Sequence, residues 1–290
     1  MIYSISNDIL NIAIAEKGAE LQSIIHTEYG IEYLWSGDAK FWGKKSPVLF
    51  PVVGTLKNNN YEYKDRKYNL GRHGFARDMN FTVTAHTDDA ITFTLTEDEN
   101  TLQKYPFHFR FSLRYAVQEN QLHITYITEN VNDAEIFFSV GGHPAFKVPL
   151  IEGTAFEDYY LAFAEIEDAG RWPLSADGLI EGFTIPVLDN TNILPLTKAL
   201  LYEDALVFKH LRSKNISLLS HKTLHGLKLD FDGFPFLGIW NAKDADFVCI
   251  EPWCGIADSV HATGKLEEKE GIIVLLPFEK FEKMWSIELF

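Results

Sequence analysis

The 290 residues include 46% hydrophobic and 23% charged side chains, ample material for a core, which excludes a disordered polar chain. The formal net charge is -15 and the 26 basic residues are scattered, so the field of the molecule opposes nucleic acid and anionic membrane. A small neutral or locally recognised ligand fits that balance better.

The opening residues, Met1-Ile2-Tyr3-Ser4-Ile5-Ser6-Asn7-Asp8, lack a basic stretch followed by an apolar one. No run approaches the roughly 18 apolar residues of a membrane-spanning helix. A soluble, cytoplasmic protein with no membrane partner is expected. Period-two alternation then dominates the chain. Leu10, Ile12 and Ile14 alternate with Asn11 and Ala13, and Gly18-Ala19 precedes Leu21–Ile25, which predicts a hairpin. Asp98 to Tyr105 is the one short helical stretch, between the hairpin of Phe81–Ala85 with Ile91–Leu95 and Pro106. Phe107, Phe109, Phe111, Leu113, Tyr115 and Val117 alternate with polar or basic residues, and Leu122, Ile124 and Tyr126 return after a Gln118–Gln121 loop. Such long two-sided strands require a second sheet packed against them.

The later strands are shorter: Leu206–Phe208, Ile216–Leu219, Leu227–Phe231, Phe236–Trp240, Phe247–Ile250, Ile272–Leu276, then Trp285, Ile287 and Leu289 in alternation. Nothing resembles a linker or a repeat. The expected architecture is one all-β domain over residues 1–290, a large antiparallel β-sandwich. Cys249 and Cys254 form neither a CxxC pair nor a disulfide framework, which favours a reducing compartment.

Three clusters stand apart from the alternation. In Val140-Gly141-Gly142-His143-Pro144-Ala145-Phe146 a histidine sits behind two glycines and ahead of a proline, so the imidazole is expected at a strand edge. A turn that merely satisfies its histidine is the plain alternative. In Leu70-Gly71-Arg72-His73-Gly74-Phe75-Ala76-Arg77-Asp78 two arginines and a histidine offer donors for hydroxyls or oxyanions, or else salt-bridge partners for surface carboxylates. In Phe247–Gly255 an apolar run is cut by Glu251-Pro252-Trp253. A glutamate at the mouth of a buried strand can have its proton affinity tuned, and a tryptophan beside it can stack on a sugar. A histidine and a glutamate on separate strands make an acid/base pair without a nucleophile, and the chain has no GxSxG elbow, Walker loop or Rossmann fingerprint. Two histidines and one glutamate also compose a metal facial triad, but no HxH or HxxE spacing supports a metal.

With these clusters in place the chain resembles the aldose 1-epimerase (mutarotase) family, most closely its LacX-like branch. The matching text is Ser46-Pro47-Val48-Leu49-Phe50-Pro51-Val52-Val53-Gly54, Arg72–Arg77, Gly141–Phe146 and Cys249-Ile250-Glu251-Pro252-Trp253, in order across nearly the whole chain. The resemblance implies a supersandwich, galactose mutarotase-like, with an open sugar cleft. It implies that His143 protonates the pyranose ring oxygen and that Glu251 takes the proton from the anomeric hydroxyl. By the same resemblance His73 helps hold the sugar and its ring oxygen, Arg77 lines the cleft, and Asp204 binds a sugar hydroxyl. Arg72, with Phe146 and Trp253 as stacking surfaces, completes the expected substrate contacts. No cofactor or metal is required.

One departure is Gly54-Thr55-Leu56-Lys57, where many relatives carry an arginine after the glycine. Arg72, Arg77, Lys44 and Lys45 are the basic candidates for a phosphorylated sugar, so free and phosphorylated hexoses both stay open. Two other classes remain beside the isomerase: a sugar-binding or sensing protein without turnover, and a glycoside hydrolase or lyase. The hydrolase requires two carboxylates at a set separation, and Glu251 has no obvious acidic partner in the other clusters.

Overall fold

A computed structural model describes the whole chain, Met1–Phe290. The alternating segments form strands Phe109–Gln118 and Gln121–Asn130, paired in register from Phe109 opposite Asn130 to Gln118 opposite Gln121. They lie in a nine-stranded antiparallel sheet. Ala90–Thr96 and Thr82–His86 continue it on one side; Lys280–Leu289, Leu227–Asp230, Asn215–Ser220, Tyr159–Arg171 and Ile185–Pro195 continue it on the other. The second large sheet runs Leu206–Lys209, Phe236–Trp240, Phe247–Cys254, Val140–Gly142 and Val48–Leu49, with Ala145–Lys147 also paired to Phe247–Cys254. The inner faces of the two sheets meet in one core, where Phe50 stacks on Phe111 at 4.2 Å and Trp285 donates to the Tyr126 hydroxyl at 2.9 Å. The expected antiparallel β-sandwich is the observed architecture. The first hairpin belongs to a smaller four-stranded sheet.

The helix covers Glu99–Lys104, as its caps dictate. Asp98 accepts from the Thr101 N–H at 2.7 Å while the Thr101 hydroxyl accepts from the Asp98 N–H at 2.8 Å, a reciprocal capping box. In the long hairpin Tyr159–Arg171 with Ile185–Pro195 the alternation is confined to Tyr159, Leu161 and Phe163. Ile185–Pro195 is an edge strand with little buried surface, and their pairing shifts register between Ala162 and Glu167 and again beyond.

Two local expectations are corrected. Phe247–Cys254 does not stop at Glu251-Pro252-Trp253; it runs through them, buried along its whole length. Nor is His143 at a sheet edge. Val140–Gly142 and Ala145–Lys147 both pair with Phe247–Cys254, so His143 and Pro144 fill a gap inside the sheet, and the proline interrupts the ladder without redirecting the chain.

Strand parity then sorts the side chains. Val248, Ile250 and Cys254 enter the main core, whereas Phe247, Cys249 and Trp253 belong to two small apolar clusters on the opposite face, and Glu251 shares their parity. The paired strands obey the same rule: Gly141 lies opposite Trp253, Ala145 opposite Cys249 and Phe146 opposite Val248.

Candidate active site

The outer face of the six-stranded sheet forms the floor of a cleft of about 520 Å³. His143 and Glu251 stand on this floor, with His143 Nδ1 3.4 Å from Glu251 Oε2. Both atoms are buried and neither has a hydrogen-bond partner. Burial dominates their chemistry. It raises the Glu251 carboxyl well above its ordinary range, Arg72 and the Trp253 indole oppose that rise, and Asp204 adds to it. It lowers His143 to about 3, helped by the guanidinium groups of Arg72 and Arg77. Both shifts favour neutral forms, a protonated carboxyl beside an unprotonated imidazole. Moving that proton to the imidazole leaves the pair's net charge unchanged.

The turn 70–78 delivers His73, Arg72 and Arg77 to the wall of the cleft. His73 has a left-handed backbone, φ +68°, fixed by its own N–H donating to the Gly54 carbonyl at 2.9 Å. In return the Gly54 N–H donates to His73 Nδ1 at 3.1 Å. That bond makes Nδ1 an acceptor, so the neutral ring carries its hydrogen on Nε2. Burial, followed by His143, Arg72 and Arg77, holds His73 well below its usual range, so the ring stays neutral. Arg77 is half-buried and donates from Nη2 to the Arg72 carbonyl at 3.0 Å. Asp204 also lines the cleft, at φ +116°, where its Oδ1 accepts from the Ala205 N–H at 2.7 Å.

The structure therefore brings His143, Glu251, His73, Arg72, Arg77, Asp204 and Trp253 to one cleft. Phe146 is not there. It is fully buried in the main core, because its parity matches Val248, and Ala145 takes the cleft-side position instead. Trp253 forms floor rather than platform: only 6% of it is exposed, and its indole is wedged between two glycines. A Cβ on Gly141 would lie 2.6 Å from Trp253 Cδ1, and one on Gly238 2.5 Å from its six-membered ring. Gly142 serves the opposite face, since a Cβ there would meet the Tyr126 hydroxyl at 2.8 Å. Lys44 and Lys45 are turned away from the cleft. Lys44 pairs with Asp78 at 3.3 Å and Lys45 donates to the Gln22 carbonyl at 2.7 Å.

Trp42, Trp240, Asn241 and Lys243 line the cleft without having been singled out in the sequence. Trp240 was legible in principle, since it is two residues from Gly238 on a strand that pairs Gly238 with Glu251 and Trp240 with Cys249. Trp42 comes from an irregular segment and had no such signal. The facial triad of two histidines and a glutamate is not assembled. The set close enough to share an ion is instead His143, Cys249 and Glu251, with ligand atoms within 4.8 Å of one another. Burial raises the Cys249 thiol well above its usual range, so its free thiolate is disfavoured.

The antiparallel sandwich thus carries an open cleft whose floor holds a facing histidine and glutamate. Residues 1–283 match the aldose 1-epimerase family, and the chain belongs to it. It is 31% identical over 299 residues to the chromosomal protein LacX of Lactococcus lactis subsp. lactis, covering 100% of this chain and 99% of that protein. Among solved structures, a galactose mutarotase related enzyme from Lactobacillus acidophilus superposes with a TM-score of 0.95 at 36% identity, covering 100% of this chain and 97% of that one. A galactose mutarotase-like protein from Lactobacillus casei superposes at 0.94 with 31% identity, covering both chains completely.

Proposed function

We propose that the protein is a cofactor-independent aldose 1-epimerase that interconverts the α and β anomers of an aldohexose or hexose phosphate. The observation that carries this reading is the facing pair, His143 Nδ1 and Glu251 Oε2, 3.4 Å apart, buried and otherwise unpartnered on the floor of a sugar-sized cleft. In the imidazolium–carboxylate form, His143 gives its proton to the ring oxygen and Glu251 takes the proton of the anomeric hydroxyl. The C1–O5 bond breaks and the C1 carbonyl forms. One proton has left the imidazole and one has reached the carboxylate, so the pair ends as neutral acid and neutral base, the form favoured by burial. Rotation about C1–C2 presents the other carbonyl face, and reclosure runs both transfers in reverse. The two groups thus return to their starting state with no external acid or base.

His73 supports the same chemistry. Its Nε2 hydrogen, fixed by the Gly54 N–H at the other nitrogen, is free to donate to a sugar oxygen. Arg72, Arg77 and Asp204 supply further polar contacts, and Trp253 the apolar floor. Positioned acid and base groups contribute roughly 10²–10⁴-fold each, enough for a reaction that already proceeds slowly in water.

Polarimetry of freshly dissolved α-glucose, α-galactose and glucose 6-phosphate, with and without protein, tests the proposal. Faster mutarotation of at least one sugar is expected. No acceleration of any of them, with calorimetric sugar binding intact, would instead identify a binding protein that uses the same cleft.

A further inference from the structure

The two cleft histidines are held in different ways. His73 takes its orientation from a hydrogen bond at Nδ1, as working histidines usually do. His143 has no hydrogen bond to another residue at Nδ1, only Glu251 at 3.4 Å, so its ring must be held by packing. The packing is aromatic. The Trp42 indole lies over the imidazole with centroids 4.8 Å apart and planes 28° from parallel, and Trp240 meets the same ring edge-on at 5.5 Å and 90°. Trp42 in turn meets Trp240 at 5.3 Å and Phe247 at 5.6 Å.

Trp42 belongs to no strand, yet its segment is tied down on both sides. Its N–H donates to the Asp38 carbonyl at 2.9 Å, and its carbonyl accepts from Trp35 Nε1 at 2.9 Å. Three residues on, the Lys45 carbonyl accepts from the Ala145 N–H at 2.8 Å, and Glu20 Oε1 accepts from the Lys45 and Ser46 N–H groups at 2.7 and 3.1 Å. These bonds fix the irregular segment against His143-Pro144-Ala145, with one indole over one imidazole.

We propose that Trp42 is a positioning residue for His143, holding the imidazole toward Glu251 and stabilising the imidazolium when His143 carries the shared proton. This rests on the acid/base reading above. An indole face is the negative end of a quadrupole, so it favours a cation stacked on it and also fixes the plane of the ring. That help is directed where it is needed. Arg72 and Arg77 oppose a charge on His143 and its own backbone favours one, neutral His73 approaches at 5.8 Å, and Cys249 carries its proton; a carboxylate at Glu251, 3.4 Å away, and the Trp42 face add to the favourable side. Because the imidazole covers the indole, Trp42 acts on the acid rather than as a stacking surface for the sugar.

The test compares Trp42→Leu, Trp42→Met and Trp42→Phe with the wild type, after thermal melting has shown which variants fold. With the sugar that the wild type accelerates best, the leucine and methionine variants should lose at least about tenfold in kcat with KM changed less than about threefold. Trp42→Phe, which keeps an aromatic face, should stay within about threefold of the wild type. The acid limb of the rate profile should move to lower pH in the leucine variant. Imidazole ¹⁵N spectra give a readout independent of turnover. One protonated and one bare nitrogen are expected for His143 in the wild type and the phenylalanine variant, and averaged nitrogens where the ring is freed. A raised KM with unchanged kcat would make Trp42 a sugar platform and overturn the proposal. Unmoved His143 signals in both the leucine and methionine variants would overturn it too. If no sugar is accelerated at all, the acid/base reading falls and the ¹⁵N spectra alone decide whether Trp42 positions the ring.

Discussion

Glu251→Gln separates a catalytic carboxylate from a structural one. The amide keeps the volume, and its NH₂ can donate to His143 Nδ1, now 3.4 Å from the carboxyl oxygen, but it cannot accept the anomeric proton. The expected loss in kcat is roughly 10²–10⁴-fold, which is about 2.7–5.4 kcal/mol at about 1.36 kcal/mol per tenfold. Stability should move the other way. Folded Glu251 titrates well above its reference value of 4.5, so above that pH the unfolded chain releases the proton freely while the folded chain resists. The difference opposes folding at pH 7 and vanishes as pH falls below the unfolded value. Glutamine has no proton to lose. The variant should therefore melt higher than the wild type at pH 7, with the gap closing toward pH 4. Polarimetric rates and calorimetric melts at both pH values provide the assay. A variant within tenfold of wild-type activity would refute the base role, and a lower melting temperature at pH 7 would refute the buried-carboxyl argument.

His143→Asn should lower the polarimetric rate by at least about a hundredfold, because the amide cannot carry the proton to the ring oxygen. The wild-type rate profile should be bell-shaped. Activity falls toward about pH 3 as His143 takes up a second proton beside protonated Glu251, and it falls again at a pH above the ordinary carboxylate range as Glu251 loses the single shared proton. Gly238→Ala should cost about 1–3 kcal/mol in denaturant titrations, since its Cβ would lie 2.5 Å from a Trp253 ring that Gly141 confines on the other side. Phe146→Ala should cost about 3–5 kcal/mol of stability yet leave KM unchanged at a temperature where the variant is folded, because the ring is in the core and not in the cleft.

The fold was legible wherever one face of a strand is buried and the other is not. Phe109 to Val117 keeps its alternation for that reason, and the Asp98–Thr101 capping box marks the helix start as plainly. Tyr159–Arg171 with Ile185–Pro195 was less legible, since the buried alternation of Tyr159, Leu161 and Phe163 ends at the register shift and the edge strand has little buried face to write a period into the sequence. The site was legible through its chemistry, because histidine, arginine and glutamate interrupting apolar runs stand out whatever the topology. Its stacking surfaces were not. Aromatic residues fill core and cleft alike, and residue type alone could not tell Phe146 from Trp42.

Parity supplies what residue type lacks. Once Glu251 is accepted as an interior position of Phe247–Cys254, every second residue of that strand lies on the cleft side of the sheet, and pairing carries the assignment to its neighbours. Gly238 and Trp240 follow on one side, and Gly141 and Ala145 on the other, which sends Phe146 to the core. The same step assigns the glycines beside His143. Gly141 accommodates the indole of Trp253 and Gly142 accommodates the Tyr126–Trp285 pair. What brings His143 within 3.4 Å of Glu251 is the break at Pro144, which leaves the histidine in the sheet with its neighbours still paired to the strand that carries the glutamate. Glycines, proline, histidine and glutamate then form one device. The sheet continues past a proline, and two buried, ionisable side chains on separate segments face each other across it.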